Sequence, residues 1–209
     1  MPIPLTLVSE DLLSEIVARQ MLGQAGKPYK VYNYQRWNKH KIQKKINKVN
    51  NSSRGFPYFV FTDQDTPEDC PPGQIEKHIR GELSPNLIYR FAVMEVESWV
   101  MAHRNAFAKF LSIPISRIPS RTDEIPDPKQ FLVNLARTSR HYRLREDLVP
   151  APRSTSSVGP GYNGRLSEFV QTRWRAEVAA QNSPSLARAL GRLREFKPVY
   201  QNTGNSSGC

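Results

Sequence analysis

One stretch limits the fold more than any other: Phe59-Val60-Phe61-Thr62 runs directly into Asp63-Gln64-Asp65. A short, unbroken run of apolar and β-prone residues, ended by turn chemistry at Thr66-Pro67, reads as a strand buried on both faces. Strands of that kind belong to parallel sheets, whose faces are covered by helices. In open α/β sheets, ligands gather at the carboxyl ends of the strands. Asp63 and Asp65 stand at that end, and residues i and i+2 of a strand share a side. Two hard oxygen donors on one side suit Mg²⁺ or Mn²⁺. The same Asp-x-Asp spacing also opens ordinary turns, so alone it leaves both readings standing.

The rest of the first half supplies the strand–helix alternation that such a sheet needs. Ile3 to Val8 reads as a first strand. Leu13, Ile16, Val17 and Met21 then recur at helical spacing, which predicts a helix from near Glu10 to near Gly23, with Ser9 as its cap. Glu10 is left at a strand end, and Asp11 reads as capping chemistry that suits the helix dipole. Tyr29 to Gln35 reads as a second strand. One face of it carries Lys30, Tyr32, Tyr34 and Arg36, an aromatic and basic stripe that can stack bases and hold phosphates. Tyrosine is also simply a good strand residue.

Ile42, Ile46 and Val49 mark an amphipathic helix whose outer face carries Lys39, Lys41, Lys44, Lys45 and Lys48 with no acid among them, and Arg54 lies beyond. Such a face holds counterions that a nucleic acid can displace, although a merely solvated face would look the same. A fourth strand is expected at Leu87 to Val93. It ends in Met94-Glu95-Val96-Glu97-Ser98, so Glu97 is a further acid at a strand-to-helix junction. Trp99, His103, Ala106, Phe107 and Phe110 predict one helix to about Leu111, with His103 a packed histidine.

After Ser112 the strand signals stop. Pro114 to Pro128 reads as a linker, and Phe131, Leu132, Leu135 and Ala136 as a helix. Tyr142 to Gly161 reads as a long basic loop carrying Arg143, Arg145 and Arg153, able to close over phosphates. Two final helices follow, at Leu166 to Trp174 and at Leu186 to Leu193. The expected organisation is an α/β core over 1–112, with a mostly parallel sheet flanked by helices. A helical extension packed on that core covers 113–201, and a disordered tail covers 202–209.

Charge narrows the partner. Thirty Lys and Arg against 19 acids give a formal net charge of +11 in 209 residues, which favours a polyanion such as nucleic acid over a neutral metabolite. Two cysteines without any Cys-x-x-Cys pattern argue against a disulfide framework or a structural zinc site. No run of about 18 apolar residues occurs, so no membrane is expected and the chain is placed in the cytoplasm. The oligomeric state is not legible.

Glu10 after the first strand, Asp63 with Asp65 after a later one, and Glu97 beyond form a pattern that resembles the TOPRIM domain of topoisomerases, primases and related nucleases, over about residues 3–100. Asp11 stands where that family usually has glycine. A second resemblance runs over most of the chain. It is carried by Phe61 to Asp65, Glu95-Val96-Glu97-Ser98-Trp99, Asp127-Pro128-Lys129, Val158 to Asn163 and Ser183-Pro184-Ser185-Leu186. These are similar to a family of small TOPRIM-like bacterial proteins close to the DUF4276 group, whose members tend to have Asp where His103 stands. The resemblance implies an effector subunit accompanying an ATPase of the same operon in anti-phage defence.

The combined expectation is a Mg²⁺- or Mn²⁺-dependent nuclease, with Glu10, Asp63, Asp65 and Glu97 as metal ligands and catalytic groups. Lys39, Lys41, Lys44, Lys45, Lys48, Arg143, Arg145 and Arg153 would hold the nucleic-acid backbone. The alternative is a nucleic-acid-binding or regulatory subunit without catalysis on the same fold. A phosphotransfer enzyme is a weaker third reading, because the chain has no Walker-type phosphate loop.

Overall fold

The computed structural model describes residues 1–64 and 71–200. Asp65 and the tail at 202–209 lie outside the described residues. The first half alternates β1 (Ile3–Ser9), α1 (Leu12–Gln24), β2 (Tyr29–Arg36), α2 (Lys39–Ser53), β3 (Tyr58–Gln64), α3 (Pro71–His78) and β4 (Leu87–Val93). All strand pairs are parallel, in the order β2-β1-β3-β4, so the chain is an α/β protein with a helix-flanked parallel sheet. The chain moves outward from β1 to β2, then crosses back over β1 to β3. That reversal opens the crevice between the carboxyl ends of β1 and β3, where open sheets bind ligands.

Alternation along the strands builds two cores. Leu5, Leu7, Phe59 and Phe61 face α1, while Val8, Val60, Tyr89 and Phe91 face Ile42, Ile46 and Val49 of α2. The first core is much the larger, because the second half of the chain packs into it. That half consists of α4 (Val96–Ala102), α5 (Arg104–Leu111), α6 (Pro128–Arg137), α7 (Tyr142–Leu148), α8 (Tyr162–Thr172), α9 (Ala176–Ala179) and α10 (Pro184–Glu195). α8 lies against α1, and α10 against β4. Trp99 joins the halves. Its ring stacks on Phe61 at 4.9 Å, and its Nε1 donates to Ser185 Oγ at 2.7 Å. The Ser-Pro-Ser motif therefore has a structural use: Ser183 caps α10, Pro184 begins it, and Ser185 satisfies a buried indole. No helix among the described residues is long and apolar enough to cross a membrane.

Several expectations are corrected. Ser9 is the last residue of β1 and does not cap α1; the cap is Asp11, as its capping chemistry predicts, with its carboxylate accepting from Ser14 N at 2.8 Å. The expected helix to Leu111 is two helices, broken at His103, whose φ −78° and ψ 61° are not helical. The basic loop is partly helical, because α7 occupies Tyr142–Leu148. The expected linker contains 3₁₀ turns at Ile115–Arg117 and Thr122–Glu124. The single stripe on β2 does not form either. Register slips between Leu5 opposite Val31 and Thr6 opposite Asn33, a bulge that leaves Tyr32 extra. Tyr29, Val31 and Tyr34 consequently pack on the α1 side, whereas Asn33, Gln35 and Trp37 border the opposite face. Tyr34 and Arg36 are parted from Lys30.

Candidate active site

Parallel order brings the ends of β1, β3 and β4 side by side, and with them Glu10 just after β1, Asp63 in the last pleat of β3, and Glu95 and Glu97 after β4. Glu10 reaches sideways from β1 to β3, where its Oε1 accepts from the Thr62 hydroxyl and, at 3.0 Å, from the backbone N–H of Asp63. Asp63 in turn reaches to the β4 side, its Oδ1 accepting from Val96 N at 3.0 Å. Glu10 is thus aimed by the neighbouring strand, and Asp63 by the first residue of α4. At the end of β4, Met94 takes φ 66°, the left-handed region that non-glycine residues rarely occupy, and turns the chain into α4.

Glu97 lies deepest, 2% exposed. Its Oε1 accepts from the Tyr162 hydroxyl at 3.1 Å and lies 3.7 Å from Lys129 Nζ. Its Oε2 is buried and has no hydrogen-bond partner among the described residues. Glu95 is bound twice to one residue: Lys129 N donates to Oε2 at 2.9 Å and Nζ to Oε1 at 3.2 Å. Lys129 arrives there because Asp127 caps α6 through Gln130 N and Pro128 occupies its first turn. Tyr162 is delivered by a turn that requires glycine. A Cβ on Gly159 would sit 2.4 Å from the Asp147 carbonyl oxygen, and one on Gly161 2.7 Å from Asp147 Cβ.

The electrostatics follow from this crowding. Burial, then the charges of Glu97, Glu10, Asp11 and Glu95, raise the Asp63 carboxyl well above the ordinary range. Burial pushes Glu97 up to about 7 against the lowering effect of Lys129, with Glu95 adding to the rise. Burial would lower the Lys129 ammonium, yet Glu97 and Glu95 hold it above its usual value. Burial raises the Tyr162 hydroxyl, and the neighbouring Glu97 raises it further, so it stays a proton donor.

Of the expected site residues, Glu10, Asp63 and Glu97 stand at one edge, linked through Asp63. Asp65 falls outside the described residues. No three His, Cys, Asp or Glu side chains among the described residues are gathered closely enough to hold a metal ion. His103 instead accepts the Arg175 backbone N–H at 3.1 Å. Lys41 and Lys45 lie against the Trp37 ring, and Lys44 and Lys48 are exposed on α2. Arg143 and Arg153 are exposed. Arg145 donates to the Ser139 carbonyl at 2.8 Å and borders, with Arg137 and Tyr142, a separate cavity of about 500 Å³.

Sequence reasoning missed Lys129, Tyr162, Thr62 and Glu95 as site residues. Asp127-Pro128-Lys129 and the Gly159–Tyr162 turn were visible as motifs, but nothing local says which distant acid they serve. Among known proteins, no family model matches the chain, and no curated protein or solved structure matches it significantly.

Proposed function

We propose that the chain hydrolyses phosphodiester bonds of nucleic acid with a divalent cation, Mg²⁺ or Mn²⁺, at the carboxyl edge of its sheet. The observation that carries this reading is the buried Oε2 of Glu97, unpartnered among the described residues, beside an Asp63 whose ionisation burial and then its acidic neighbours oppose. A buried charge without compensation is costly, and a hard cation is the partner that carboxylate oxygens prefer. The donor set fits in its chemistry. Asp63 and Glu97 would hold the ion, with Asp65 as the sequence's further carboxylate. The ion would supply Lewis acidity and a more acidic bound water.

The chain's own groups do the positioning. Tyr162 fixes one oxygen of Glu97 and leaves the other as donor. Lys129 offsets part of the negative charge, which keeps Glu95 and Glu97 together without a cation. Glu10, held by Thr62 and the Asp63 N–H through Oε1, keeps Oε2 to accept a proton from an attacking water. Purified protein with Mg²⁺ or Mn²⁺ should cut DNA or RNA, chelator should stop it, and Asp63→Ala should abolish it. Undiminished cutting by that variant would sink the assignment.

A second reading is a nucleic-acid-binding or regulatory subunit without catalysis. It is favoured by the lysine itself: Lys129 already offsets part of the charge of Glu95 and Glu97, and no three acids among the described residues converge. That reading expects salt-sensitive binding, no dependence on cation, and no cleavage.

A further inference from the structure

α2 packs over β3 and β4 and leaves the β1–β2 portion of the same face uncovered. The result is a groove of about 470 Å³ between α2 and the outer strand, within the usual range of about 300–1,000 Å³ for ligand sites. Its floor carries Asn33 and Gln35 of β2 and Tyr58 of β3; its walls carry Lys45, Lys48 and Trp37. No acid lines it. The side chains of Asn33, Gln35 and Lys48 make no hydrogen bond or ion pair among the described residues. The bulge at Tyr32 creates the groove's chemistry, since it turns Asn33, Gln35 and Trp37 onto this face.

We propose that this groove binds a single-stranded nucleic acid, seating one unpaired nucleotide beside Trp37 and passing the strand on toward the acidic edge. This deepens the proposed function and rests on nucleic acid being what the chain acts upon. Three features select this ligand. Trp37 is only half buried, and Lys41 and Lys45 lie 5.5 and 5.1 Å from its ring centre, so an aromatic surface and ammonium groups stand together. Stacked bases with lysine-held phosphates are how proteins grip single strands. Asn33 and Gln35 offer paired donors and acceptors of the kind that read base edges. A duplex hides base faces in its stack, so only an unpaired base uses both the tryptophan and the amides. A protein partner is disfavoured by the polar and cationic character of most of the lining, Asn33, Gln35, Lys45, Lys48 and Ser52.

The direction of the strand follows from connectivity. Trp37 N donates to Ser9 O at 3.0 Å, and Ser9 is followed directly by Glu10. Trp37 therefore stands at the groove's end nearest the carboxylates.

The test uses the full chain in chelator, where nothing is cut, with a labelled 12-nucleotide oligo(dT) and a 12-base-pair duplex read by fluorescence anisotropy. Oligo(dT) should bind more tightly. Trp37→Ala should weaken it about 5- to 100-fold, the range expected for one lost stack, with little change for the duplex. Trp37→Phe should retain most of the affinity. Gln35→Glu, an exposed change that preserves shape, should also weaken oligo(dT) selectively, which guards against misfolding of the tryptophan variant. Lys45→Ala and Lys48→Ala should each lower the slope of log K against log salt by about 0.7. If both oligonucleotides bind and neither Trp37→Ala nor Gln35→Glu changes the preference, the groove is wrong while the acidic edge stands. If neither oligonucleotide binds at low salt, the groove and the nucleic-acid reading fall together.

Discussion

At the carboxyl ends of β1, β3 and β4 the acids are tied down: Glu10 to Thr62 and Asp63, Asp63 to Val96, Glu95 to Lys129, Glu97 to Tyr162. On the β2–α2 side, Lys44 and Lys48 have no ion-pair partner among the described residues, and Lys41 and Lys45 rest on an indole. Both regions are dense in charge of one sign, yet they hold it differently. Water solvates an exposed ammonium, so the cationic side needs no internal partner. Buried carboxylates lose that solvation and must share hydrogen bonds, a lysine, or protons. A change at the acidic edge should therefore register as stability, and one at the cationic side as binding.

The largest effect expected from this contrast is a dependence on pH. Glu97 titrates near 7 in the folded chain and Asp63 well above its usual range, so the folded state holds protons that the unfolded chain has released. Stability is then greatest below the unfolded value and falls as pH rises through the folded one. For Glu97 the rise from 4.5 to about 7 corresponds to about 3 kcal/mol, lost between roughly pH 4.5 and 7. Urea denaturation in chelator should give lower stability at pH 8 than at pH 5, and Glu97→Gln should flatten the difference. Ten millimolar Mg²⁺ (about that concentration) should restore stability at pH 8 if the edge binds the ion. A flat profile in chelator would mean that the acidic edge is as well solvated as the cationic one, and the contrast would collapse.

Next in size is Lys129→Met. Glu97 is 3% exposed at its side chain, so removing the ammonium leaves a buried carboxylate with less compensation. Lys129 itself is 38% exposed, which lets water replace part of what is lost. A loss of about 2 kcal/mol at pH 8 is expected, about 4–8 °C in melting temperature for a chain of this size. Adding Glu97→Gln should recover most of it. No recovery would indicate that Lys129 acts through packing rather than charge.

The sheet was legible in the sequence because its signals are local. Phe59 to Phe61 is buried on both faces as its unbroken apolar run predicts, and parallel order sets the carboxyl ends of β1, β3 and β4 along one edge. What escaped is what depends on distance or on backbone detail. Tyr162 meets Glu97 across 65 positions and Lys129 meets Glu95 across 34, and no periodicity spans such gaps. The bulge at Tyr32 has no glycine to announce it, so one extra residue turned an expected stripe into two faces. Met94 occupies a left-handed position that glycine or asparagine would have signalled. Asp11 caps α1 as its chemistry predicts, whereas Ser9 does not, because β1 runs through Ser9, whose hydroxyl shares a hydrogen bond with Tyr34.

The smallest effect tests the cationic side and should move stability and binding in opposite directions. Along α2, Lys44 has Lys41 one turn before it and Lys48 one turn after, all exposed, and no acid lies in the helix's first turn. Like charges three and four residues apart destabilise a helix by a few tenths of a kcal/mol each, and a carboxylate placed four residues before a lysine is favourable by about as much. Lys44→Glu converts two repulsions into two attractions, so it should raise stability by about 0.5–1 kcal/mol, or about 1–4 °C. The same change removes one positive charge and adds a negative one beside the groove. It should weaken oligonucleotide binding several-fold at low salt and shrink in effect as salt rises. A helix chosen for stability alone would not carry this arrangement. If Lys44→Glu lowers stability, the lysines have structural partners and the solvated description of this side fails. If it stabilises the chain and leaves binding untouched, the outer face of α2 lies away from the strand, which would confine contact to Lys45, Lys48 and Trp37.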